Sequence, residues 1–138
     1  MDTQNKELKS VLVLKNLYFE KVNFERDIYL PKKFDTSFST EFREISHNET
    51  EVRLQCLIKS DTKFTLDILL VGVFENNEED EEKRNIINKV NTVSIMFPYL
   101  RSEISLVTAQ PNFPTIDLPI ININELLKAQ GKLFAQRA

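Results

Sequence analysis

Residues 51–74 read EVRLQCLIKSDTKFTLDILLVGVF, and their periodicity decides the fold. Val52, Leu54, Cys56 and Ile58 alternate with Arg53, Gln55, Leu57 and Lys59, the pattern of a strand with one buried face. Ser60, Asp61 and Thr62 make a short turn. Phe64, Leu66, Ile68 and Leu70 then resume the alternation, and from Leu69 to Val73 the opposite face becomes apolar too, so this strand is covered on both faces at its end.

Upstream, Phe34, Phe38 and Phe42 share one face of a second strand within Phe34 to Ile45, with Thr36 and Thr40 between them. The same spacing suits a helix, but Asp, Ser and Thr fill the segment and strong helix formers are scarce. A polar turn, Ser46 to Thr50, joins it to the strand after. Val11 to Phe24 forms the first strand, and the shift of its pattern between Leu14 and Leu17 suits a bulge or a two-faced environment. Arg26 to Lys33, with Pro31 and no clean period, is a surface connection. Four successive strands before any helix predict an α+β domain with a four-stranded antiparallel sheet.

Downstream, the acidic run Glu78 to Glu82 precedes Lys83 to Asn91, an order that complements a helix dipole. From Thr92 to Gln110, Val93, Met96, Phe97, Leu100, Ile104 and Val107 recur at helical spacing and form a stripe to pack on the sheet. Pro98 must kink this helix or lie near its start. Ile95, Tyr99 and Leu106 fall away from the stripe and leave apolar area for a second surface. Pro111, Pro114 and Pro119 punctuate an extended connection. A terminal helix capped by Asn122 or Asn124 runs toward Ala138, weakened near its middle by Gly131.

The chain of 138 residues, 28% charged, suits one domain over 1–138, with flexible ends at about 1–10 and 130–138. A net charge of -3 gives no general attraction to nucleic acid or anionic lipid. No apolar run reaches the roughly 20 residues that span a bilayer, and Met1 to Ser10 lacks the plan of a secretory signal. A cytoplasmic, reducing location is expected. Cys56 and His47, one of each kind, exclude an internal disulfide and disfavour a metal site. With only Gly72 and Gly131 there is no glycine-rich phosphate loop, and no nucleophile and base pair up. Nothing calls for catalysis, a cofactor or a metal.

The words Phe97-Pro98-Tyr99-Leu100-Arg101, with Ile104, and Phe113-Pro114-Thr115-Ile116-Asp117-Leu118, followed by Pro119 and an Asn-x-x-x-Leu pattern at Asn122 and Leu126, resemble the SecB export-chaperone family. Leu17-Tyr18, Val22-Asn23-Phe24-Glu25 and Gly72-Val73-Phe74 look like its counterparts upstream. The resemblance spans roughly Leu12 to Leu127. It implies a SecB-like sheet with helices on one face, assembled as a dimer or a dimer of dimers through edge strands and helices. Ile95, Tyr99 and Leu106 would then be oligomer-interface residues. It also implies an ATP-independent holdase whose clients are unfolded polypeptides, held in apolar grooves beside the crossover connection, strand two and the terminal helix. Those positions are Tyr29, Phe34, Phe38, Phe42, Leu126, Leu127 and Phe134. The family docks the translocase ATPase SecA through sheet-surface acids, which here correspond to Lys21, Glu25, Thr65 and Asp67, with only Glu25 and Asp67 keeping the charge. SecA is thus one candidate partner. An antitoxin, the client of SecB-like members of toxin-antitoxin systems, is another, and an adaptor for one folded partner is the alternative reading.

Overall fold

The computed structural model describes residues 11–132; of the ends expected to be flexible, 1–10 and all of 130–138 except residues 130–132 lie outside it. Strands β1 (Leu12–Glu25), β2 (Phe34–Glu44), β3 (Glu49–Ser60) and β4 (Thr65–Asn76) form one antiparallel sheet in the order β1-β4-β3-β2. The connection from β1 to β2 must therefore pass β4 and β3, while β2, β3 and β4 follow one another as hairpins. The β3–β4 turn is closed by its hydroxyls, with the Thr62 N–H donating to Ser60 Oγ at 3.0 Å.

The pattern shift in β1 resolves into two bulges. Register slips between Leu14 and Asn16 and again between Phe19 and Lys21. Each extra residue moves the chain by half a pleat. As a result Leu12 and Leu14, then Leu17 and Phe19, then Val22 and Phe24 all lie opposite inner-face residues of β4, from Asn76 to Leu66. Without the bulges Leu17 and Phe19 would turn outward.

One helical run follows the sheet. It starts as α1 (Glu81–Ile86), passes through a π-helical turn (Ile87–Asn91) and continues as α2 (Thr92–Thr108). Asn76, buried at the end of β4, donates to the Arg84 carbonyl at 3.1 Å and to Asn88 Oδ1 at 2.9 Å. The Thr92 N–H reaches back five residues to Ile87, and its hydroxyl takes the Asn88 carbonyl at 2.6 Å. The wide turn is thus fully bonded, consistent with how π turns persist inside longer helices. Pro98 lies inside α2 on its exposed side, where the hydrogen bond that it removes is replaceable by water.

Val93, Met96, Phe97, Leu100 and Ile104 are buried on the sheet, as the stripe predicts. Their seat is cut by Gly72. A Cβ there would stand 2.8 Å from the Phe74 ring and 3.0 Å from Met96 Sδ, so glycine is what lets the helix approach. The core comprises these residues with Val52, Leu54, Cys56 and Ile58 of β3 and Leu66, Ile68, Leu70 and Phe74 of β4.

The terminal helix differs from its expectation. It is α3 (Ile123–Ala129), not a helix to Ala138, and Gly131 is past its end rather than near its middle. Asn122 is the cap, its Oδ1 accepting from the Glu125 N–H at 3.1 Å. Gly131, at φ +71°, turns the chain so that its N–H and that of Lys132 bond the Lys128 and Leu127 carbonyls. This is a Schellman termination, which a left-handed glycine supports.

The sheet's outer face has an apolar centre, where Val71 is buried and Leu57, Leu69 and Val73 are half-buried, with paired charges around it. Arg53 bridges Glu20 and Glu51, Arg43 joins Glu51, and Lys21 holds Asp67 at 2.7 Å. Partial burial acts to raise the pKa of Asp67, but Lys21 and the Gln55 amide outweigh it and keep the carboxyl below its ordinary range.

Two outcomes follow. Gly72→Ala should destabilise the protein by about 1–3 kcal/mol in urea denaturation, because Phe74 or Met96 must shift; a variant as stable as wild type would show that the close approach is dispensable. The depressed Asp67 carboxyl contributes stability that is present above its unfolded pKa of about 4 and is lost as pH falls through the lower folded value. Asp67→Asn should therefore lose up to about 1 kcal/mol at neutral pH and show a weaker loss of stability on acidification, measured as denaturation midpoints against pH.

Candidate polypeptide-binding surface

The α2 layer covers the two central strands, so the margin of the inner face on the β2 side is only partly sheltered. Phe34, Phe38 and Phe42 stand on this margin, opposite Ser60, Cys56 and Val52. Phe38 and Phe42 are half-buried, and Phe38 leans on Phe97 with ring centres 5.6 Å apart. Phe34 is 39% exposed. Its ring meets Phe64 edge-on at 5.6 Å and lies 6.5 Å from Phe113.

Phe113 belongs to the extended connection after α2, and Phe24, Phe64 and Phe113 pack with ring centres 5.0–5.7 Å apart. Such aromatic contacts add to the area that they bury. They fasten the connection against the ends of β1 and β4. Arg26 completes the arrangement: its guanidinium lies 4.9 Å from the Phe113 ring centre, and it donates to the Pro111 carbonyl at 3.1 Å.

Arg26 also opens the crossover connection, residues 26–33, which presents Tyr29 in the open. Tyr29 is 69% exposed, and its neighbours Ile28 and Leu30 are exposed as well. The Tyr29 N–H donates to Asp27 Oδ1 at 2.9 Å, closing a small turn at the tip. At the exit, Asp61 of the β3–β4 turn accepts from the Lys32 N–H at 3.1 Å. That donor, chiefly, holds the Asp61 carboxyl below its ordinary pKa. Between loop and turn lies a cleft of about 680 Å³ bounded by Tyr29, Leu30, Lys32, Asp61 and Lys63. Ile28 and Leu30 went unremarked in the sequence, although an apolar triplet in a segment without periodicity was the signal.

Residues from α3 divide. Leu126 is half-buried, whereas Leu127 is fully buried in the core and offers no surface to a ligand. The expectation for Leu127 is corrected by helical phase, since Asn122 as the cap turns residue 127 inward. Phe134 lies outside the described residues.

The remaining candidates lie elsewhere. Ile95, Tyr99 and Leu106 line the face of α2 turned away from the sheet and are 38%, 51% and 69% exposed. Beside Leu106 is a recess of about 520 Å³ that includes Pro98, Ser102, Asp117 and Leu118. Glu25 and Asp67 are on the outer sheet face, Asp67 tied to Lys21 and Gln55. These outer-face positions are thus remote from the phenylalanine margin, which is on the opposite face.

For chemistry, little is arranged. Burial pushes the Cys56 thiol up to about 12, helped by the Asp67 charge, so it is not a nucleophile. His47 is exposed in the β2–β3 turn. Among the described residues there is no cluster of three metal-ligating side chains and no unbonded buried side-chain N or O. Among them, too, no helix is long and apolar enough to cross a membrane.

Comparison with known proteins agrees with this architecture. An uncharacterized protein of Methanocaldococcus jannaschii is 41% identical over 58 residues, 42% of this chain and 37% of its own length. The protein-export protein SecB of Thiobacillus denitrificans is 24% identical over 118 residues, 80% of this chain and 78% of its own. This chain spans about half the length of most other SecB relatives that it matches. Among solved structures, the fold is similar to that of the Mycobacterium tuberculosis Rv1957 SecB-like chaperone in complex with a ChAD peptide from the Rv1956 HigA1 antitoxin. The TM-score is 0.68 at 15% identity, over 80% of this chain and 91% of that one. The family model for the preprotein translocase subunit SecB matches residues 3–133, and with the sheet order, helix layer and Phe-Pro words in place, the chain belongs to the SecB family.

Proposed function

We propose that this protein is a cytoplasmic, ATP-independent holdase that binds unfolded polypeptides and has no enzymatic activity. The observation that carries the reading is the apolar surface that starts at Ile28, Tyr29 and Leu30 and includes Phe34, with Phe38 and Phe42 half-buried further along β2. Folded monomers rarely leave such patches unless a partner covers them. Apolar contact is non-directional, so this surface suits clients that share no sequence but expose apolar side chains. Binding the unfolded state delays client folding by mass action without nucleotide.

Within this reading, a dedicated client such as an antitoxin is favoured over delivery to SecA. Asp67, one of the two acids at the positions expected to dock SecA, is neutralised by Lys21, and Arg43 and Arg53 offset Glu51 and Glu20 on the same face. Of the two acids expected to dock SecA, only Glu25 is then left without an ion pair among the described residues. The stripe of Ile95, Tyr99 and Leu106 supports assembly into a dimer or dimer of dimers, because α2 has no cover on that side within the described chain.

The test is binding of a permanently unfolded polypeptide and of its folded form. The protein should bind the former selectively and suppress its aggregation; equal aggregation with and without the protein removes the proposal. Because Tyr29 and Leu30 are exposed, Tyr29→Ser with Leu30→Ser should keep the thermal midpoint and weaken binding by about ten-fold. Leu106→Asp should lower the assembly mass in light scattering, and an unchanged mass would take α2 out of the interface.

A further inference from the structure

Two apolar surfaces stand apart on this chain: the loop at Ile28, Tyr29 and Leu30, and the outer face of α2 at Leu106. The connection that follows α2 touches both. On the α2 side, Thr108 Oγ1 accepts from the Ile116 N–H at 2.9 Å, and the Ser105 hydroxyl donates to Asp117 Oδ1 at 2.8 Å. Asp117 and Leu118, so tied, form a wall of the recess of about 520 Å³ beside Leu106.

On the loop side the same connection is gripped by Arg26. This half-buried arginine forms no ion pair among the described residues. Its guanidinium instead donates to two main-chain carbonyls, from Nε to Asp27 at 2.9 Å and from Nη1 to Pro111 at 3.1 Å, and lies 4.9 Å from the Phe113 ring centre. Asn112, left-handed at φ +54°, turns the chain between Pro111 and Phe113, and asparagine tolerates that conformation. A planar guanidinium fixes the directions of its donors, so loop and connection are held in one geometry. Among the described residues, no other hydrogen bond joins residues 26–33 to residues 109–122.

We propose that Arg26 is the positioning residue that couples these two surfaces: a second copy seated against the recess fixes the connection, and Arg26 passes that order to the loop that meets the client. The inference rests on the holdase reading and on assembly through α2, and adds a link between them. A loop ordered in advance loses less entropy when a client covers it. The link is reciprocal, so client binding favours assembly by the same factor.

The experiment is a double-mutant cycle on the full-length protein, with reduced and alkylated lactalbumin as the unfolded probe. Leu106→Asp should weaken probe binding about five-fold more in the wild-type background than in Arg26→Ala. Loss of multivalency alone weakens both backgrounds equally, so equal losses overturn the coupling while the holdase stands. Arg26→Lys keeps the charge but not the planar fork and should behave as Arg26→Ala; if it preserves the coupling, charge rather than position is at work and the inference fails. An unchanged assembly mass for Leu106→Asp takes α2 out of the interface and the coupling with it. If wild type does not bind the probe, the holdase reading falls first. Should Arg26→Ala fail to fold, hydrogen exchange at residues 27–33 of wild type decides: slower exchange in the assembled protein than in the diluted, dissociated protein supports the proposal, and equal exchange overturns it.

Discussion

The structure depends on how closely α2 can lie against β4, and that distance is set at Gly72. Met96 occupies the space that a side chain at residue 72 would fill, with Phe74 beside it. Interiors are packed to crystalline density, so one methyl at this point is felt through the whole contact. Because α2 seats here, Leu100 and Ile104 are also sealed against the sheet. The rest of the helical run follows from the same seat, since Asn76 at the end of β4 grips Arg84 and Asn88 and thereby orders the π turn that leads into α2.

One helix over the middle of a four-stranded sheet leaves the margins short of cover. On β1, Leu14 and Val22 face inward yet remain exposed; on β2, Phe34 does the same. An ordinary small domain would fill these places with polar residues. Here the apolar margin on the β2 side continues into Ile28, Tyr29 and Leu30, and the loop that carries them is held at both ends, by Arg26 on Phe113 and by Asp61 on the Lys32 amide. A surface fixed before binding loses less entropy when it is occupied. Stability and the proposed recognition therefore draw on the same apolar row, with its deeper members in the core and its outer members open.

Much of this was legible from the residues. β3 and β4 announce themselves because a sheet buried on one face imposes a period of two, and α2 because one buried stripe imposes 3.6. The first bulge in β1 showed as a break in phase between Leu14 and Leu17, although a break alone does not separate a bulge from a strand with two apolar faces, and the second, between Phe19 and Lys21, left no such sign. What stayed hidden depended on contacts distant in sequence. The π turn needs Asn76 to make it, and nothing in Ile87–Asn91 demands it. Leu126 and Leu127 were indistinguishable until the cap was known, because a shift of one residue turns a helix by about 100°. The Gln130 contact joins residues 92 apart and leaves no periodic trace.

On the proposed holdase function, the protein must expose what folded proteins hide, and its own edges are then its first hazard. The two edges answer this differently. β1 breaks its regularity with bulges, a common defence. β2 has no bulge, and its outward residues Asp35, Ser37, Ser39, Glu41 and Arg43 are short or charged, which preserves solubility without blocking its main chain. A side chain from α3 covers the middle of that strand instead. A bulge is permanent, whereas a glutamine side chain can rotate away and return. The unbroken strand is thus covered at its middle by the end of the capped helix beside it, and the two pack as one unit.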